Sequence, residues 1–429
     1  MTTASDLYQP PVRWHCKCQF ESARFREVSA GIQQAGAPMG GGGACVRHQR
    51  SGQEDNHPMK LFLGGDVMLG RGVDQILPHP GDPRLHESVV RNAQDYVRLA
   101  EAVNGPMARP VAFPYVWGDA LAELTRRAPD ARIVNLETAV TTSDEPWPHK
   151  GIHYRMHPDN VRCLVSAKID CCVLANNHVL DWGYAGLRET VATLRQVGIA
   201  TAGAGRNRVE ASTPALIDLG PRGRVAVLAL GSGTSGIPGS WAATPDRPGV
   251  NLLPDFSDGT VEEVAAGVRA VKRPGTIVVA SIHWGDNWGY GVPGHQRGFA
   301  RRLIDEAGVD LVHGHSSHHP KAIEVYRGHL ILYGCGDVLD DYEGIGGSEE
   351  FRGELRLLYF PRLDVSTGTL RRLTMTPVRL RRFRIQRASL DEARWLGVTL
   401  TREGQPFGTR ARLSEDGTLT LEATDEVRM

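Results

Sequence analysis

The residues best suited to chemistry stand directly behind short apolar runs. Lys60-Leu-Phe-Leu-Gly-Gly ends in Asp66, Arg132-Ile-Val-Asn-Leu in Glu137, and Cys171-Cys-Val-Leu-Ala in Asn176-Asn177-His178. Thr276-Ile-Val-Val-Ala-Ser-Ile ends in His283, and Val309-Asp-Leu-Val in His313-Gly-His315-Ser-Ser-His318-His319. Together these form a mixed oxygen and nitrogen donor set. Carboxylates suit hard divalent ions, and imidazoles suit zinc, iron, manganese or nickel. Two such ions bridged by a carboxylate and a hydroxide would polarise a phosphoryl group and supply its nucleophile. No Ser-His-Asp or Cys-His arrangement competes, and the sequence holds no GxxxxGK[ST] loop and no GxGxxG behind a strand.

Groups so far apart in sequence meet only if the apolar runs are strands of one α/β fold, where ligands bind along the carboxyl edge. Runs at 60–65, 132–136, 171–175, 224–230, 276–282 and 309–313 alternate with helical patterns, as that class requires. The segment 185–197 puts Leu187, Val191, Leu194 and Val197 on one face and stops at Gly198, a good residue to follow a helix. Segments 261–271 and 297–307 behave similarly. Residues 84–128 hold two more helical stretches, the first read as an insertion covering part of the fold. After residue 320 the pattern turns to strands at 323–326, 330–333, 355–360 and 370–375, then two helical turns near 390–400 and a last strand at 417–422. The alternation in Arg379-Leu-Arg381 and Arg382-Phe-Arg384-Ile385 reads as a strand with one solvated face, and its parity slip fits a β-bulge. Trp284, Trp288 and Tyr290, behind His283, suit either a substrate platform or loop packing.

Composition narrows the partners. The 429 residues carry 49 basic and 49 acidic side chains, so no global field favours nucleic acid or an anionic membrane. The longest apolar runs fall short of the roughly 18 to 20 residues of a membrane span. The N-terminus lacks the apolar core of a signal peptide, which points to a cytoplasmic protein with reduced thiols. Cys16 and Cys18 do not match common zinc spacings, and Cys171, Cys172 and Cys335 read as core. Residues 1–58, with a glycine run and no long apolar period, read as a flexible or non-native extension. A domain over 59–345 follows, with a β-rich part at 346–429 packed on it.

Six ordered motifs carry a resemblance. Gly64-Gly-Asp66-Val-Met-Leu-Gly-Arg71, Asn135-Leu-Glu137, Asn176-Asn-His178-Val-Leu-Asp181-Trp-Gly183, His283-Trp-Gly285, Gly314-His315-Ser-Ser-His318 and Leu332-Tyr-Gly-Cys-Gly-Asp337 resemble the motif set of the CapA family. That family is associated with bacterial capsule and poly-γ-glutamate synthesis and belongs to the calcineurin-like metallophosphoesterase superfamily. The resemblance runs from about residue 60 to at least residue 340.

It implies a four-layer α/β/β/α sandwich of the metallo-dependent phosphatase type, with two divalent ions (manganese, iron or zinc) between the sheets. By the same resemblance Asp66, Glu137, Asn177, His283, His315 and His318 hold the metals. Glu137 sits where a bridging carboxylate is expected, and His178 protonates the leaving group or steadies the transition state. Asp181 is then the partner that orients His178, unless it is a helix N-cap. Arg71 and Arg155 are candidate substrate forks. His313 and His319 compete with His318, and His313 also suits a buried structural role. Three positions depart from the pattern: Met68 stands where the first motif has His, Glu replaces Asp at 137, and the last motif reads His-x-x-His. The expectation is a metal-dependent phosphoesterase acting on an anionic small molecule or polymer through a metal-bound hydroxide. The alternative is a non-hydrolytic accessory protein that binds or guides poly-γ-glutamate or another polyanion.

Overall fold

Why the polar ends converge is a matter of strand register in this computed structural model, which describes residues 58–424. The proposed extension at 1–58, with Cys16 and Cys18, lies outside these residues except for Pro58.

The chain is a mixed α/β fold built on two large sheets. Met59–Val67 runs centrally in the first, parallel to Ala131–Leu136, which pairs on to Cys171–Val173 and Ala200–Ala202. On its other side lie the antiparallel strands Leu355–Leu363 and Leu370–Leu380, then Leu419–Ala423 and Thr409–Leu413. The β-rich C-terminal segment thus extends the same sheet. The second sheet places Arg224–Ser232, Thr276–His283, Leu311–His315 and His329–Leu332 side by side in parallel.

Alternation along the strands decides what each face buries. Leu61, Leu63, Ile133 and Val173 meet Val227, Ile277, Val279 and Leu311 in one core between the sheets. Phe62, Val134 and Cys172 point the other way, onto Val97, Leu124, Leu187, Val191 and Leu194 of the helices Gln94–Asn104, Ala120–Arg127 and Gly183–Gln196. Ala226, Val278 and Val312 pack on Val261, Val264, Phe299 and Leu303 of Asp258–Val271 and Gly294–Asp305. Strands buried on both faces are why the runs read as continuously apolar.

One irregularity aims the site. The pairing of Met59–Val67 with Ala131–Leu136 slips between Gly64 and Asp66, so Gly64 lies opposite Val134 and Asp66 opposite Asn135. The extra residue reverses the parity of everything after it. Asp66 therefore joins the face of Leu63 and Ile133, between the sheets. Gly65 makes this possible: a Cβ there would lie 1.8 Å from the carbonyl oxygen of Gly336. That close approach also lets Asp66 N–H donate to Gly336 and sets Asp66 in register with Asp337.

The structure corrects one expectation. The parity slip at 381–382 is not a bulge. Leu370–Leu380 ends, Arg382 and Phe383 take positive φ (56° and 49°), and Ile385–Arg387 folds back as an antiparallel partner. Two consecutive left-handed non-glycine residues carry no glycine or asparagine signature, so the turn is hard to read from sequence. Phe383 is buried in the core, which holds the turn in place.

Gly65→Ala should lower stability by about 2 kcal/mol or more in chemical denaturation, because backbone must move. Gly151→Ala, with nothing within 4 Å of the added Cβ, should stay within about 0.5 kcal/mol.

Candidate metal centre

Register delivers the donors in pairs. His283 lies directly opposite His315, and Ser281 opposite His313, on adjacent parallel strands. These four continue the inward face of Ile277 and Val279. Asp66, opposite Asn135 and Asp337, reaches the same space from the first sheet.

Two groups of potential ligand atoms result among the described residues: Asp66, His283 and His315, and Asp66, His318 and Asp337. Within each, the atoms lie within 4.8 Å of one another, and all five residues are buried. Asp66 is common to both. The carboxylate shared by the two groups is therefore Asp66, in place of Glu137. Glu137 stands just outside, 3.7 Å from His283 Nε2 and 3.8 Å from His178 Nε2. Asn177 Oδ1 lies 3.1 Å from His283 Nε2. Of the expected donors, all six are thus brought to one place.

The hydrogen bonds orient these side chains. Asn135 Nδ2 donates to Asp66 Oδ1 (2.7 Å), and Ser316 N–H donates to Asp66 Oδ2 (3.1 Å). Ser316 holds φ at 102°, a strained conformation for a non-glycine residue and one often found at functional sites. His283 Nδ1 and His315 Nδ1 are 2.9 Å apart, and Ser281 Oγ lies 3.0 Å from His315 Nε2. His318 Nδ1 meets Asp337 Oδ1 at 2.9 Å. His313 and His319 belong to neither group: His313 Nδ1 meets Ser281, and His319 stacks on Phe351.

The electrostatics fit a cation. Burial pushes Asp66 up to about 6 and Asp337 up to about 7. Burial, then the charges of Asp66 and Asp337, raises Glu137 well above the carboxylate range. Burial lowers His283 and His315 well below the usual imidazole range, which keeps both rings neutral. Asp337 Oδ2 is buried without a hydrogen-bond partner. Crowded carboxylates, neutral imidazoles and an orphaned oxygen are what a divalent ion would satisfy.

His178 stands beside this centre. Its Nδ1 is 2.7 Å from Asp181 Oδ2, which also accepts from Tyr154 N–H. Asp181 does not cap the following helix; its carboxylate is turned to His178 and Tyr154 N–H instead. Lys150 Nζ approaches both, 2.7 Å from Asp181 Oδ1 and 3.1 Å from His178 Nδ1. Burial lowers His178 to about 4, so its ring is neutral, with Nε2 toward Glu137.

Two expectations change. Arg71 is neither a surface charge nor an open fork. It is buried, and its five N–H groups go to Asp341, Glu87, Tyr96 and Tyr154. Helix Gln94–Asn104 supplies Tyr96 to this cage. Arg155 is not brought to the centre: it donates to Ser143 and Asp82 carbonyls and covers the Trp182 ring. Sequence reasoning passed over Asp337, Asn135, Lys150 and Arg356. Asp337 had a signal, since it ends a quoted motif just beyond the strand His329–Leu332. Lys150 and Arg356 had none.

Comparison with known proteins bears on the same residues. Residues 60–342 match the family described as "Bacterial capsule synthesis protein PGA_cap". A "Probable polyglutamine synthesis accessory protein" of Mycobacterium tuberculosis is 53% identical over 362 residues, covering 84% of this chain and 95% of that protein. The "Capsule biosynthesis protein CapA" of Bacillus anthracis is 24% identical over 299 residues, 70% of this chain and 62% of its own length. The "PGA biosynthesis protein CapA" of Bacillus subtilis is 26% identical over 278 residues, 65% of this chain and 62% of its own. Among the described residues no helix is long and apolar enough to cross a membrane.

Ligand atoms must shed protons to bind a cation, so Mn²⁺ affinity should fall as pH drops through about 7 and 6, where Asp337 and Asp66 take up protons. Calorimetric titration between pH 8 and 5.5 should show up to about tenfold loss per pH unit per proton. Asp66→Asn should abolish tight binding, and Asp337→Asn should remove one of two equivalents.

Proposed function

The chain belongs to the PGA_cap family of bacterial capsule synthesis proteins, and from that premise we propose that it is a two-metal hydrolase of a phosphoester or related anionic bond. One observation carries this reading: two buried ligand groups share Asp66, and an Asp-oriented imidazole stands at their edge. Helices on the outer face of each of two packed sheets support a metallophosphoesterase-type α/β/β/α sandwich. The names of the relatives support a setting in capsule or polyglutamate-type polymer synthesis.

Asp66, His283 and His315 would hold one divalent ion, and Asp66, His318 and Asp337 the other. When bound, the pair supplies Lewis acidity that polarises the scissile group and activates water. The protein's own part is positional. Asp181 fixes the tautomer of His178, so Nδ1 carries the hydrogen and Nε2 faces the cluster. A neutral imidazole donates no proton to a leaving group until it acquires one. Glu137, whose carboxyl is pushed up by burial and by its acidic neighbours, lies 3.8 Å from Nε2. An arriving anion also favours the charged ring. Tyr154 packs edge-on against the His178 ring, and Lys150 Nζ lies 3.1 Å from its Nδ1.

A second reading, a non-hydrolytic accessory protein, is favoured by Met68, which is buried where an imidazole ligand was expected.

Metal analysis joined to a phosphomonoesterase and phosphodiesterase screen in Mn²⁺ separates the two. On the hydrolase reading, wild type binds about two equivalents and turns over. His178→Ala then keeps its metal but loses about 10²- to 10⁴-fold in kcat. Bound metal with no turnover, and a silent His178→Ala, would give the accessory reading.

A further inference from the structure

A cavity of about 760 Å³ opens onto the metal centre at His318 and Asp337. Two features of its wall are unexplained by the centre itself. The first is Arg356, from strand Leu355–Leu363. It is buried, its Nη1 lies 2.8 Å from Asp340 and 3.8 Å from Asp337 Oδ2, and its Nε–H has no acceptor. A buried guanidinium donor left unpaired beside a cation site is a place for an anion's oxygen. The second is the rim. Among the described residues ten large apolar side chains are exposed, and three of them line this cavity: Val103 (64%), Ile152 (44%) and Ile345 (47%). They come from three separate segments of the chain. Trp288 continues the apolar wall inward, its ring 5.5 Å from that of His318.

The acidic residues of the cavity already have partners, Glu354 and Glu392 being paired with arginines. Glu343 accepts from the N–H groups of Arg382 and Phe383, Glu349 from Gly347, Glu354 from Arg352, and Glu392 from Arg379 and Ser389. Arg71 is spent on its own cage; Arg379 Nε also lacks an acceptor, but of the two it is Arg356 that contacts Asp337 of the centre.

We propose that this cavity is the substrate cleft and that it takes an amphiphilic phosphate. The phosphate head would sit between Arg356 and the Asp337–His318 side of the centre, and the apolar body would run past Trp288 to the rim of Val103, Ile152 and Ile345. This rests on the hydrolase reading for the identity of the head group; the rim and Arg356 supply the rest. The neutral chain charge agrees with it, since the ligand is recognised by one buried guanidinium and apolar contact, and not by a broad positive field.

Calorimetry on the Mn²⁺-loaded full chain tests it with methyl phosphate and octyl phosphate. Each buried methylene is worth about three- to fourfold, so octyl phosphate should bind at least tenfold tighter. Val103→Ser combined with Ile345→Ser should cut that ratio below about threefold, while Val209→Ser, exposed and away from the cavity, leaves it intact. Arg356→Gln should weaken both ligands alike by about tenfold. Should it fail to fold, Arg356→Lys keeps the charge and should weaken both as well. Equal binding of the two phosphates, binding of neither, or a ratio indifferent to the rim variants would overturn the proposal. A retained preference without any turnover would sink only the hydrolase reading.

Discussion

Everything at the centre depends on one inserted residue. Without the slip at Gly64–Asp66, strand parity would aim Asp66 at the helices packed behind the first sheet. With it, Asp66 faces the inner space where His283 and His315 project from the second sheet. The slip needs Gly65, because the chain around Gly336 passes too close for any side chain. The same contact seats Asp337 beside Asp66. A backbone constraint, and not a side-chain preference, thus makes Asp66 the carboxylate common to both ligand groups.

That placement sets a cost the rest of the structure offsets. Asp66, Glu137 and Asp337 are buried together, and isolated buried carboxylates are strongly unfavourable. Asn135 and the Ser316 amide answer Asp66; His318 and Arg356 answer Asp337. Burial opposes a charge on His318, but Asp337 prevails and raises it. None of these partners satisfies every oxygen, and Asp337 Oδ2 stays bare. The residual imbalance lies on the acidic side of the site, where positive charge would be most stabilising. On the other side Asp181 stays ionised: burial opposes this, but His178 and Lys150 outweigh it. Asp181 is thus tuned in the opposite direction from Asp66, Glu137 and Asp337.

Much of this was legible in sequence, for a specific reason. Parallel strands buried on both faces produce continuous apolar runs, and the polar residue ending each run marks the carboxyl edge. Asp66, Glu137, Asn177, His178, His283, His315 and His318 all carry that mark. Asp337 carried it too, but it stands four residues past the strand read at 330–333 and not directly behind it. Arg71 was misjudged because sequence shows its charge and not its four protein partners, three of which lie on segments 16 to 83 residues away and one 270 away. Lys150 and Arg356 lie on a loop and on an antiparallel strand, where no edge rule applies. The hairpin at 381–384 failed for the reverse reason: buried Phe383 fixes a turn that local propensity argues against.

Arg356 also clarifies why the C-terminal segment is not a mere appendage. Strand Leu355–Leu363 pairs directly with Met59–Val67, the strand that carries Asp66. The antiparallel partner therefore lies beside the site's central strand and sends a guanidinium to Asp337 and Asp340 from a face the parallel strands do not occupy. The parallel half supplies acceptors and neutral imidazoles, groups suited to cations. The antiparallel half supplies Arg356, a buried donor with an unpaired N–H beside Asp337, a group suited to anions. A site that took both a cation and an anionic ligand, as proposed, would need both kinds of group close together. Joining a parallel and an antiparallel half at a single central strand is how this sequence brings them together.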